Sequence, residues 1–193
     1  MQLTEKLGVK ALQSLLSLGD RVKDKIEARR PTERLMSKEI ESYIKWSEMD
    51  GGFNKLRFAP VLTVVAAAHR EAINSISASI TEKMENLAQR HRSGLMLDEP
   101  RTNEVGEVEI YSRQPPLLYG IIVAQSMAIF VTLDSANPEA KIRHLAHFDF
   151  KDKDMNVWNG IALAIIVIVA RNYMISIKDE LGADDRESSD PDA

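Results

Sequence analysis

Two stretches without a single Asp, Glu, Lys or Arg, residues 114–133 and 155–170, set the terms for this 193-residue chain. Each must be covered by other apolar surface or by lipid, because water penalises a continuous apolar run. About 20 apolar residues span a bilayer as a helix, and the first stretch has that length. It nevertheless carries Pro115 and Pro116 at its start and Gln125-Ser126 at its middle, with β-branched and aromatic residues on both sides. That pattern predicts a buried hairpin, Leu117 to Ala124 and Met127 to Leu133. The second stretch is 16 residues long and includes Asn156, Asn159 and Gly160. It reads as a helix, apolar all round and therefore buried against the sheet, with Ile165 at its centre.

Around these stretches the hydrophobic period alternates between helix and strand. Leu3, Leu7, Ala11, Leu15 and Leu18 predict a helix over 2–18 stopped by Gly19, followed by a charged connector, Asp20 to Arg30. Thr32 is placed to cap a helix with the stripe Met36, Ile40, Tyr43 and Ile44, closing at Asp50-Gly51-Gly52. From Pro60, the positions Val61, Val65, Ala68, Ala72, Ile76, Ile80, Met84 and Leu87 keep one face for about eight turns. This predicts one long helix ending near Gly94, with a polar loop over 95–106. Val108 and Ile110 then alternate with polar residues as a short strand. After Asn137-Pro138, the residues Ile142, His144, Ala146, Phe148 and Phe150 share a face over 141–150. Asp152 or Asp154 would cap the last helix, which Gly182 ends.

The fold expected is α+β, a small antiparallel meander of three to four strands packed against helices, with a long helix before the sheet and a buried apolar helix after it. The domain reading is an N-terminal helix and charged connector over 1–31, a single α+β domain over 32–181, and a disordered acidic tail over 182–193. The net charge of −4 comes from the C-terminal end, where residues 179–193 hold seven acids against Arg186. The body is then close to neutral, without the large positive excess of a typical nucleic-acid binder.

The absence of cysteine removes disulfides, thiolate metal sites and cysteine nucleophiles, and suits a cytoplasmic or nuclear compartment. Four histidines, His69, His91, His144 and His147, limit any imidazole chemistry. His144 and His147 have the spacing of a metal pair, but three positions apart on a strand point to opposite faces, so neither a metal nor a cofactor is expected. Asp134 with Asp149-x-Lys151 resembles the acid and acid-x-lysine of metal-dependent nucleases. A hairpin register sets the two carboxylates roughly 26 Å apart at a strand rise of about 3.3 Å, too far to share a magnesium ion. They read as strand-end residues. Arg29, Arg30, Lys55 and Arg57, or Arg90 and Arg92, are the cations available to nucleic acid. Ser188 and Ser189 stand among acids, with Asp192 three residues after Ser189, the spacing favoured by acidophilic kinases of the casein-kinase-2 type.

The run Gln114-Pro115-Pro116-Leu117-Leu118-Tyr119-Gly120-Ile121-Ile122 through Phe130, with Val157-Trp158-Asn159-Gly160, resembles an uncharacterised family of filamentous-fungal proteins over about residues 36–193. That family carries no function to transfer. More distantly, the Tyr-Gly-Ile hairpin ending in Phe is similar to the strands after the catalytic Glu-x-Lys strand of fungal restriction-endonuclease-like domains. Here the upstream strand reads Glu107-Val108-Glu109-Ile110-Tyr111, with no lysine two after either glutamate, so the resemblance implies a degenerate site. Three readings follow. The first is a non-enzymatic protein-interaction module with an unknown protein partner. The second is a degenerate restriction-endonuclease-like domain that binds nucleic acid. The third is a two-helix membrane protein.

Overall fold

The computed structural model describes residues 3–68, 71–102, 106 and 108–183. From the N-terminus, α1 (Leu3–Leu16) and α2 (Leu18–Glu27) lead into α3 (Glu33–Gly51), β1 (Leu56–Arg57) and β2 (Leu62–Ala66). Then come α4 (Ile73–Leu95), β3 (Met96–Thr102), β4 (Val108–Tyr111), β5 (Leu117–Ala124), β6 (Met127–Asp134), β7 (Arg143–Asp149), α5 (Asn156–Ser176) and β8 (Gly182–Ala183).

The α+β class holds, and the meander forms where the apolar runs predict it. β5, β6 and β7 pair antiparallel in sequence order, with Gln125 in the left-handed region at the first turn. The sheet has a fourth strand that was not expected as one. β2 lies parallel to β5, Leu62 opposite Tyr119 and Ala66 opposite Val123, so the main sheet is mixed with the order β2-β5-β6-β7. The long helix predicted from Pro60 therefore begins at Ile73. Val61 to Ala68 is continuously apolar apart from Thr63, and such a run fits a helical face and a two-sided buried strand equally well. Its β-branched Thr63-Val64-Val65 centre settles for the strand.

Two further expectations are corrected. The polar loop over 95–106 contains β3, which pairs with β4 in a separate two-stranded ribbon outside the main sheet. The charged connector is α2, whose Leu18 and Val22, four residues apart, are fully buried.

The strand alternation divides the sheet into two faces. On one, α4 lays Ile80 and Met84 over Gly120, where the missing side chain leaves room for Met84 and Val131 to close in. The other face presents Ile121, Val123, Ala128 and Phe130, all buried, toward the layer of α3 and α5. α1 packs against both of these helices and runs opposite to them. Near its start the Trp46 indole donates to the Thr4 carbonyl (3.1 Å), and near its end the Leu15 backbone rests on Gly160. Ala11, Leu15, Leu18 and Val22 thus belong to the same core as Ile40, Leu118 and Leu163. Each such leucine or isoleucine contributes about 1.5–3 kcal/mol by leaving water.

Candidate interaction surface

α5 is where sequence and packing leave something unspent. Its N-terminus is tied to α2, because Asn156 donates to Asp20 (2.6 Å) and accepts from Lys23 (2.9 Å). Neither Asp152 nor Asp154 caps it; Met155 holds the cap position without a side-chain hydrogen bond. One turn on, Asn159 donates to the Asp149 carbonyl at the end of β7 (2.9 Å). Beyond that, Leu163, Ala164, Ile166, Val167, Ala170 and Met174 are buried, so the apolar helix after the sheet is a core element along this face.

Its other face is equally apolar and meets water. Trp158 is 63% exposed and Ile165 58%, Val169 and Asn172 are exposed, and Ile161, Ala162 and Ile168 are half-buried. Ile165, expected at the centre of the core, therefore lies outside it. A helix apolar all round gives no period from which to choose its buried face, which is why the sequence reading misplaced it. Trp158, Ile161, Ile165, Ile168, Asn172 and Ile175 follow three-four spacing along the open side, the spacing of a helix-packing seam. Among the described residues α5 is also the one helix long and apolar enough to cross a membrane. Residues 114–133 form most of the β5–β6 hairpin and supply no second helical span.

The predicted acids do not converge. Asp134 is opposite Leu117 at one end of β6, and Asp149 is opposite Met127 at the other. Each closes a turn. Asp134 accepts from the Ala136 amide (3.0 Å), while Asp149 accepts from Ser126 Oγ (2.7 Å) and the Lys151 amide (3.0 Å). Lys151 Nζ stands 3.5 Å from the same carboxylate. Partial burial pushes the Asp149 carboxyl up, but these hydrogen bonds and the lysine charge outweigh it and hold the group below its ordinary range. Among the described residues no group of three or more His, Asp and Glu is placed to hold a metal ion.

Contrary to strict strand alternation, His144 and His147 share a face. The β6–β7 register shifts between Phe130 and Val131, leaving Leu145 as the extra residue of a bulge. The bulge turns His147 and His144 to the same side of β7, with ring centroids 5.5 Å apart. Nothing in the sequence His144-Leu145-Ala146-His147 announces it. His91 is buried on α4 with Nε2 3.1 Å from the Pro60 carbonyl, and desolvation, helped by Arg113 and Arg90, pushes its pKa down against that hydrogen bond. His69, Glu107, Ser188 and Ser189 lie outside the described residues.

Of the candidate cations, Arg29 and Arg30 line one surface pocket with Lys151, beside the α3 start. There the Thr32 hydroxyl donates to the Gln125 carbonyl, and Glu33 accepts from the Gln125 amide (3.3 Å). Lys55 and Arg57 sit at β1, and Arg92 donates to the Ser135 carbonyl (2.9 Å) from the end of α4, where Arg90 is exposed. A separate apolar cavity of about 390 Å³ opens between the first turn of α4 and the sheet, lined by Ile76, Ile122, Met127 and Ile129. No family model, curated protein or solved structure matches the chain significantly.

Proposed function

We propose that this chain is a non-enzymatic protein-interaction module that docks its partner on the open face of α5. The observation that carries this reading is the uncharged stripe through Trp158, Ile165 and Val169, held on a helix whose opposite face is locked in the core. Exposed apolar patches are costly to keep soluble, and a rigid helix face presenting such side chains is a common peptide- and protein-binding device. A compartment without oxidising chemistry, cytoplasmic or nuclear, suits a cysteine-free module of this kind.

The test compares tagged wild-type protein with Ile165→Asp as baits in quantitative affinity capture, with circular dichroism to establish that both are folded. Loss of specific partners from the variant is expected; retention of all of them removes α5 as the docking face.

One observation favours a second reading, a degenerate nuclease-like domain that binds nucleic acid. Arg29, Arg30 and Lys151 meet at one pocket, where phosphate contacts would make binding strongly salt-dependent. Filter binding of duplex and single-stranded DNA at two salt concentrations decides it. Affinity unchanged in an Arg29→Ala, Arg30→Ala variant excludes that pocket.

A further inference from the structure

We propose that His144 and His147 form a binding site for a divalent transition-metal ion of the zinc class, held between the two imidazoles on the open face of β7. The proposal is independent of the α5 docking reading.

The backbone builds the pair. β7 is the edge strand of the main sheet, and Leu145 is the residue left over where its register with β6 shifts. His144 then stands opposite Val131 and His147 opposite Ile129, two positions of β6 that share a face. Leu145 is itself 55% exposed, so the bulge gains it no burial. What the bulge changes is the direction of His144, which strict alternation would send the same way as Ala146 and Phe148, toward the layer of α3 and α5. Bulges beside functional sites re-aim side chains in this manner.

The separation of the rings fits one shared ion. Zinc bonds imidazole nitrogen at about 2.0–2.1 Å, which sets the metal about 3.2 Å from each ring centre. Two such rings at the tetrahedral angle have centres about 5.2 Å apart. Those of His144 and His147 are 5.5 Å apart, tilted by 41°. Both side chains are exposed, so an ion with water in its remaining positions has access. Neighbouring cations are turned away from the pair. Arg143 is opposite Thr132 and points to the other face, and Lys83 of α4 donates to the Val64 carbonyl on β2 (2.9 Å). Asp149 follows on the same face as His147, but Ser126, the Lys151 amide and Lys151 Nζ occupy its carboxylate, which leaves two protein ligands. Imidazole without thiolate suits zinc, copper or nickel, whereas magnesium and calcium require oxygen donors. The ion is therefore of a different class from the magnesium that a nuclease site at Asp134 and Asp149 would need.

Calorimetric titration of the full chain, freed of any polyhistidine tag, should give a saturable zinc isotherm that magnesium does not reproduce. Loss of an outer partner of a metal ligand weakens binding about 10–100-fold, so His144→Ala and His147→Ala, which remove ligands, should each weaken it at least that much. His91→Gln, whose ring nitrogen faces the Pro60 carbonyl, should leave it unchanged. Circular dichroism should show both alanine variants folded, since neither imidazole belongs to the core. In nuclear magnetic resonance spectra the ring nitrogens of His144 and His147 should shift together as zinc is added. Zinc binding that survives both alanine substitutions places the ion elsewhere and overturns the pair, as does a loss confined to Asp149→Ala. A shift of one imidazole without the other overturns the shared ion. The absence of any saturable zinc isotherm overturns the site outright and leaves the α5 docking reading to its own test.

Discussion

At Gly160 a Cβ would lie 2.5 Å from the Leu15 carbonyl oxygen and 3.0 Å from Leu16 Cα. These are backbone atoms, so α1 and α5 would have to separate to admit even a methyl group. Gly160→Ala should therefore cost about 1–3 kcal/mol, read as a lower urea midpoint. Gly94, near the end of α4 with nothing within 4 Å of its missing Cβ, is the control. Gly94→Ala should raise stability by about 0.5–1 kcal/mol through the lower entropy of the unfolded chain. His91 supplies a pH-dependent counterpart. Its folded pKa lies below the ordinary 6.5, so the unfolded chain takes up the proton first and stability falls as pH drops through and below that value. His91→Gln, which keeps a donor for the Pro60 carbonyl, should lose less melting temperature between pH 7 and about pH 5 than wild type. Single residues were the least legible scale in the sequence. Asp134 and Asp149 stand at opposite ends of β6, as a hairpin register requires, because a period of two leaves little freedom. The same reasoning failed for His144 and His147, since one bulged residue reverses every side chain beyond it.

Among the elements, α5 offers the sharpest contrast between composition and position. Leu163 is fully buried and Ile165, two residues away, is 58% exposed. Leu163→Ala should cost about 2–5 kcal/mol in chemical denaturation, while Ile165→Asp should leave the melting temperature nearly unchanged in dilute monomeric protein. Equal losses would mean that α5 is rotated about its axis from the orientation described. The hairpin was legible because Gln125-Ser126 interrupts two β-branched runs of matched length. β2 was not, because a strand covered on both faces lacks alternation, and its apolar residues continued the α4 stripe by coincidence of spacing. β3 was hidden for the opposite reason. Its residues from Asp98 to Thr102 are all exposed, and among the described residues it pairs with β4, which leaves little hydrophobic signature.

At the level of the whole molecule, the helices within 1–31 are structural parts of the core. Removing residues 1–31 would uncover the α3 and α5 surfaces that Ala11, Leu15, Leu18 and Val22 fill. The shortened chain should lose its cooperative urea transition and bind a hydrophobic dye; a sharp transition at the wild-type midpoint would make those helices dispensable. The α+β class and its helix–sheet–helix order were readable from composition and period, whereas the mutual packing of chain-distant helices was not, since no local pattern encodes it.

The contact between Leu15 and Gly160 also bears on how the protein is made. α1 leaves the ribosome well before α5, the helix its Leu15 end rests on, and β2 must wait for β5 before it has a strand to pair with. Translation therefore proceeds with the side of α1 that α5 covers still exposed, and the core closes late, once α5 has emerged. A chain interrupted before Asn156 would keep that side exposed, the state that chaperones and proteases recognise.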